Sequence, residues 1–349
     1  CVTPWRQPKP NAPAPATTLA PLFRDNMKNG DTHFKLRAAG LALAASAILT
    51  GCVQPTVSPI PQTRPEAVAP TPIQPPAATL EPSAQSKAMR AYYENVQNNL
   101  LLNDLLRTDT GSNDAPFTTH QLARNFDAIA LNDEYTSVGG TFIARTTPSS
   151  LHRWTVPVRI GLEFGASIPE TQRASDRATV KALAGQLAQA THHPISMSAR
   201  PNFHVLVLNE DERQVIGPRL EQLIPGVGQA AIDSAENMPK SSYCLVIASD
   251  PADNGAYETA VAIIRGEHPD LMRKSCFHEE ITQGLGLAND SPRARPSIFN
   301  DDEEFALLTR HDALLLRMLY DPRLRPGMSP DVARPISAQI ANELMQDGA

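Results

Sequence analysis

Apolar residues along this chain change period several times. From residue 86, Met89, Tyr92, Tyr93, Val96, Leu100 and Leu101 recur at the three- and four-residue spacing of one helix face, and Leu105 and Leu106 extend it. Thr118 followed by Gln121 makes a capping box, which opens a second helix with Leu122, Phe126 and Ile129 on one face. A helix pair alone buries little, so both are expected to pack on the domain that follows. Residues 154–164 alternate apolar and polar side chains as a half-buried strand does, with Pro157 near the start. Residues 176–190 return to helical spacing with Val180, Leu183, Leu187 and Ala190 inward. Strands are expected over 203–208, 242–248 and 257–265, with a short helix over 219–224 between the first two. A helix around Glu280 follows the last strand. This order predicts an α+β domain with a mixed sheet.

The first quarter of the chain reads differently. Thirty-two prolines are present and they crowd there. Lys28, Lys35 and Arg37 accompany a small and apolar run, residues 36–50, that ends in Leu49, Thr50, Gly51 and Cys52. Such a run falls short of the roughly 20 residues that span a bilayer, and it suits the core of an export signal. Its alanine-rich stretch has no amphipathic period, which argues against a core helix. The ending looks like a bacterial lipobox, making Cys52 the lipidated first residue of the mature protein. Val53 rather than Asp resembles lipoproteins sorted to the outer membrane. Prolines every few residues favour an extended polyproline tether. The expected division is 1–26, a leader of doubtful status; 27–51, a signal peptide; 52–85, a tether; 86–150, a helical preface; 151–330, the main domain; and 331–349, a helical tail.

Charge and cysteine content narrow the function. A net charge of -6 offers no basic field for a nucleic-acid backbone. Gly226 and Gly228 are too few to make a phosphate loop, and no serine elbow occurs. Once Cys1 and Cys52 are set aside, Cys244 and Cys276 remain. In an oxidising compartment they are expected to pair as a disulfide, stabilising by roughly 3 to 4 kcal/mol in the chain-entropy model.

The candidate chemistry lies in residues 278–290, His-Glu-Glu-Ile-Thr-Gln-Gly-Leu-Gly-Leu-Ala-Asn-Asp. Glu279 and Gln283 share a helix face, Glu280 is one step round, Gly286 can stop the helix, and Asn289 falls past the turn. The spacing resembles the H-E-x-x-H-x-x-G-x-x-H helix of metzincin peptidases, with no histidine at any ligand position. Residues 276–328, together with 125–131 and the pair Arg153 and Trp154, resemble a bacterial family catalogued as domain of unknown function 2927, itself similar to metzincins. That resemblance implies a metzincin-like domain with Glu279, Gln283 and Asn289 at ligand positions, Glu280 at the general-base position and Gly286 at the turn. It also puts residues 296–300 at the turn that carries a methionine beneath the metal, with Phe299 in its place, and 308–320 on the next helix.

One carboxylate and two amides are hard donors that suit calcium, magnesium or manganese better than zinc. No cofactor is therefore expected; a divalent metal, with His278, Glu279, Gln283 and Asn289 as weak ligand candidates, is the alternative. Reading His278 and Glu279 as the opening pair puts Thr282 at the second histidine position, and the match fails. His278 is then a helix-start surface residue or hydrogen-bond partner, and Glu280 has the plain alternative of a solvated helix glutamate. The acidic run 301–304 is expected to start a helix, and His311 and Asp312 within it are read as structural. The resulting expectation is a lipid-anchored envelope protein facing the periplasm, held to the membrane through Cys52, that binds a protein or peptide without cleaving it. The competing readings are a metal-dependent peptidase using Glu280 and a structural envelope lipoprotein.

Overall fold

In the computed structural model, residues 80–346 are described, apart from 112, 139, 140 and 301. The segments expected to be a leader (1–26) and a signal peptide (27–51), together with Cys52 and almost all of the expected tether, lie outside them. Helix α1 (Ala84–Leu102) starts where the Ser83 hydroxyl accepts the Ser86 N–H. It buries Met89 and Tyr93 but leaves Leu101 and Leu102 exposed. Leu105 and Leu106 do not extend it: Asp104 and Leu106 take positive φ, which a continuing helix forbids. Helix α2 (Thr119–Ala130) opens on the Thr118/Gln121 capping box and buries Leu122, Phe126 and Ile129. Strands β1 (Asn132–Val138) and β2 (Thr141–Pro148) then pair antiparallel, an unexpected hairpin in the segment read as helical.

The expected strand over 154–164 is broken by Pro157 into β3 (Arg153–Trp154) and β4 (Val158–Phe164). Helix α3 (Glu170–Thr191) begins six residues earlier than its apolar face suggested, after Pro169 and with Glu170 in its first turn. There follow β5 (Ile195–Met197), β6 (Phe203–Leu208), the short helices α4 (Glu210–Arg213), α5 (Gly217–Leu223) and α6 (Gln229–Glu236), and β7 (Cys244–Ser249). Strand β8 (Ala256–Tyr257) pairs parallel with β3, and β9 (Thr259–Arg265) leads into helix α7 (Asp270–Gln283). Helices α8 (Arg310–Leu319) and α9 (Pro330–Gln346) complete the domain.

The main sheet has the order β5-β4-β6-β9-β7, with β7 antiparallel at one edge and the rest parallel. Its inner strands are apolar on both faces because both faces are covered. Val205, Val207, Ala260, Ala262 and Ile264 join the large core with α2, α3, α7, α8 and α9. Leu206, Leu208, Val261 and Ile263 point the other way, onto Leu220 of α5 and Ile232 of α6. The architecture is α+β with a mixed sheet. Among the described residues no helix is long and apolar enough to cross a membrane.

Candidate functional site around the α7 helix

Helix α7 is buried nearly all round, so each polar side chain on it needs a partner. In its first turn Arg273 donates to Asp176 at 2.7 Å, to Asp270 at 2.8 Å and to the His268 carbonyl at 2.6 Å. Cys276 is bonded to Cys244 at the start of β7, with their Cα atoms 5.9 Å apart. The disulfide staples the antiparallel edge strand to the middle of the helix.

Glu279 is half-buried beside that staple, its carboxylate 3.9 Å from the Cys244 sulfur, which has no proton to donate. Gln283, one turn on, faces elsewhere: its amide reaches Asp290 at 3.4 Å. Sharing a helix face therefore does not bring these two side chains to one centre. Glu280 is only 4% exposed, which overturns its reading as a solvated glutamate. The helix ends at Gly284, whose carbonyl accepts the Trp154 indole N–H at 2.8 Å. Gly286 follows with φ +119, and a Cβ there would collide with the His152 carbonyl, so it shapes the turn after the stop.

Asn289 is fully engaged. Its amide nitrogen donates to the carbonyls of Ala128 at 2.8 Å and Asp290 at 2.9 Å, its oxygen accepts from Thr146 at 3.4 Å, and its backbone N–H donates to Ile129 at 3.1 Å. It pins the loop to the end of α2. His278 is buried, contrary to the surface reading, and its Nδ1 accepts the Leu308 N–H at 3.0 Å. Burial, and then the nearby Lys274 charge, push its pKa down to about 4 against the opposing pull of Asp312.

Beneath the loop, Phe299 is wholly buried; its N–H donates to the Ser297 hydroxyl and its carbonyl accepts the Ser291 N–H. Asp312 organises this turn. One carboxylate oxygen accepts the Ser297 hydroxyl at 2.5 Å, and the other accepts the Ile298 N–H, the Thr309 N–H and the Thr309 hydroxyl at 3.1, 2.9 and 2.8 Å. His311, equally buried, lies 3.1 Å from the Asn125 amide and edge-on to Phe117. The acidic run starts no helix: α8 is capped by Thr309, and Glu304 instead pairs with Arg107 and Arg295.

A zinc centre does not fit these residues. Asn289 is held by backbone carbonyls, the Nδ1 lone pair of His278 is engaged, and Glu279 lies against a disulfide, where zinc needs convergent histidine, cysteine or carboxylate donors. Among the described residues no three such side chains converge.

The sequence reading missed a second polar cluster at the other end of α7. Arg265, Glu267 and His268 close β9 and are all but completely buried. Arg265 pairs with Glu210 at 2.8 Å, and Glu267 accepts the Ser86 hydroxyl and the Glu210 N–H at 2.8 and 2.6 Å. Tyr93 of α1 sits edge-on over His268 at 4.4 Å. The available signal was the run Arg-Gly-Glu-His-Pro-Asp at a strand–helix junction, charged where a core element turns.

The family described as protein of unknown function (DUF2927) matches residues 119–339, from the start of α2 into α9. The chain belongs to this family. No curated protein and no solved structure matches it. The DUF2927 region contains the whole sheet, α7 and the Asp312 turn, whereas α1 precedes it.

Proposed function

We propose that the protein is a lipid-anchored envelope module whose metzincin-like domain binds an extended protein or peptide segment without cleaving it. The observation that carries this reading is the engagement of Asn289: at a position where a working metallopeptidase holds its metal, this side chain ties two backbone carbonyls together. The metzincin likeness is supported by a mixed sheet with an antiparallel edge strand, a helix directly after β9, and a glycine turn followed by a buried turn beneath it. Among the described residues β7 pairs only with β9, so its other edge can accept a strand beside Glu279. Anchoring rests on the sequence pattern ending at Cys52.

Displayed unstructured peptides panned on the full chain test the binding. Full-length peptides retained in EDTA and by Glu280→Gln are expected. Fragments that disappear with EDTA or in Glu280→Gln would show a peptidase instead. Incorporation of labelled palmitate, lost in Cys52→Ser, tests the anchor; no label in the parent chain would remove it.

A further inference from the structure

The surroundings of the Cys244–Cys276 disulfide are electrically lopsided. At Cys276, 2% exposed, the sulfur lies 3.8 Å from Nδ1 of His268. That imidazole is completely buried, and its Nε2 finds no hydrogen-bond partner among the described residues. Arg265 and Arg273 flank it: after burial, their charges are what hold its proton affinity far below the ordinary range. At Cys244, partly buried, the Glu279 carboxylate lies 3.9 Å from the sulfur. Negative charge is thus favoured on one sulfur and opposed on the other. Exchange is fastest when the leaving thiol is the better-stabilised anion and the attacked sulfur is the accessible one.

We propose that this disulfide is a thiol-exchange site, with Cys244 the attacked sulfur and Cys276 the leaving thiolate received by His268. A thiolate formed from a reduced thiol attacks Cys244 Sγ. The Sγ–Sγ bond breaks, its electron pair goes to Cys276 Sγ, and the attacking sulfur remains in a mixed disulfide with Cys244. A second thiol displaces Cys244 and leaves as the oxidised disulfide of the reductant. Two thiols have then supplied two electrons, and their protons reside on Cys244 and Cys276. His268 enters because its neutral ring has one proton to place. With no partner at Nε2, the tautomer protonated at Nδ1 gives up nothing, and it aims a donor at the thiolate that forms. The substrate class is a reduced thiol, small or on a protein. Reduction releases the staple between β7 and α7, whether or not the β7 edge beside it binds a peptide.

The test treats the oxidised full chain with reduced glutathione in native buffer, quenches with iodoacetamide and maps the peptides. Glutathione on Cys244 with alkylated Cys276 is expected. His268→Phe, kept only if its urea midpoint shows a folded chain, should slow the first step about ten-fold, the worth of one hydrogen bond to a charged group. Glu279→Gln, next to the Cys244 sulfur, should speed it several-fold by removing repulsion of the incoming thiolate. Adduct on Cys276, reduction only after unfolding in urea, or a rate unchanged by Glu279→Gln would each overturn the proposal.

Discussion

The two ends of α7 carry buried polar clusters built on opposite principles. At the C-terminal end, Asp312 accepts four short hydrogen bonds and Asn289 and His278 bond backbone groups directly. Both oxygens of Asp312 have donors. At the N-terminal end, Glu267 uses one oxygen while the other, like His268 Nε2, finds no hydrogen-bond partner among the described residues. That cluster is held by charge: Arg265 and Arg213 both pair with Glu210, and Arg273 pairs with Asp176. A carboxylate with donors on both oxygens, as Asp312 has, fixes geometry, because every change leaves a partner orphaned, even though His311 Nδ1 beside it finds no hydrogen-bond partner among the described residues. An incompletely satisfied cluster leaves groups whose energy depends on what charge appears beside them, which is what an exchanging disulfide requires.

The contrast is sharpest in Asp312→Ala. Removing one carboxylate orphans three buried donors, the Ser297 hydroxyl and the N–H groups of Ile298 and Thr309, while the Thr309 hydroxyl keeps the Pro296 carbonyl at 3.0 Å, and a loss of about 4 kcal/mol is expected in urea unfolding. A loss under 2 kcal/mol would mean that the turn holds without its hub. Acid tests His278 next. Its folded pKa of about 4 lies below the ordinary 6.5, so the unfolded chain binds the proton first as pH falls. The stabilisation is whole above pH 6.5 and declines towards pH 4, by about 3 kcal/mol for a shift of that size. His278→Gln should flatten part of this decline in unfolding midpoints measured across the window, with buried His268 supplying more of the same sign.

A smaller effect is expected for Asn289→Ala. It frees the carbonyls of Ala128 and Asp290 and should lose about 2 kcal/mol, with faster amide exchange confined to the loop after α7 and the end of α2. The smallest belongs to the other cluster. Burial raises the pKa of Glu267, so its charged form is already disfavoured, and Glu267→Gln should change stability by about 1 kcal/mol or less. A loss as large as that of Asp312→Ala would erase the difference between the two ends. The sign of its pH effect is opposite to that of His278, since protonation relieves the folded state as pH falls.

Much of this was legible locally. The Thr118 capping box and the apolar runs that became β6 and β9 need only near neighbours to act. Cys244 and Cys276 were paired from compartment reasoning alone, and they are bonded. The hairpin of β1 and β2 was not legible, because residues 132–148 lack a clean alternation. Acidic residues 302–304 misled because a favourable helix dipole and an ion pair with a distant arginine call for the same residue types. The spacing from Glu279 to Asn289 correctly suggested a helix, a glycine turn and a following loop. It could not say that Gln283 and Glu279 would face different neighbours, since helical phase gives direction but not what waits there.

By itself, then, the sequence determined periodicity, the Thr118 cap and the membership of residues 119–339 in their family, all properties of residues close in the chain or of their order. Only the tertiary structure decided which buried polar groups are satisfied. Asn289 meets Ala128 across 161 positions, and Glu267 meets Ser86 across 181. Hydrogen bonds and charges act over a few ångströms in space, and separation along the chain carries no information about that distance until the sheet has brought the ends together.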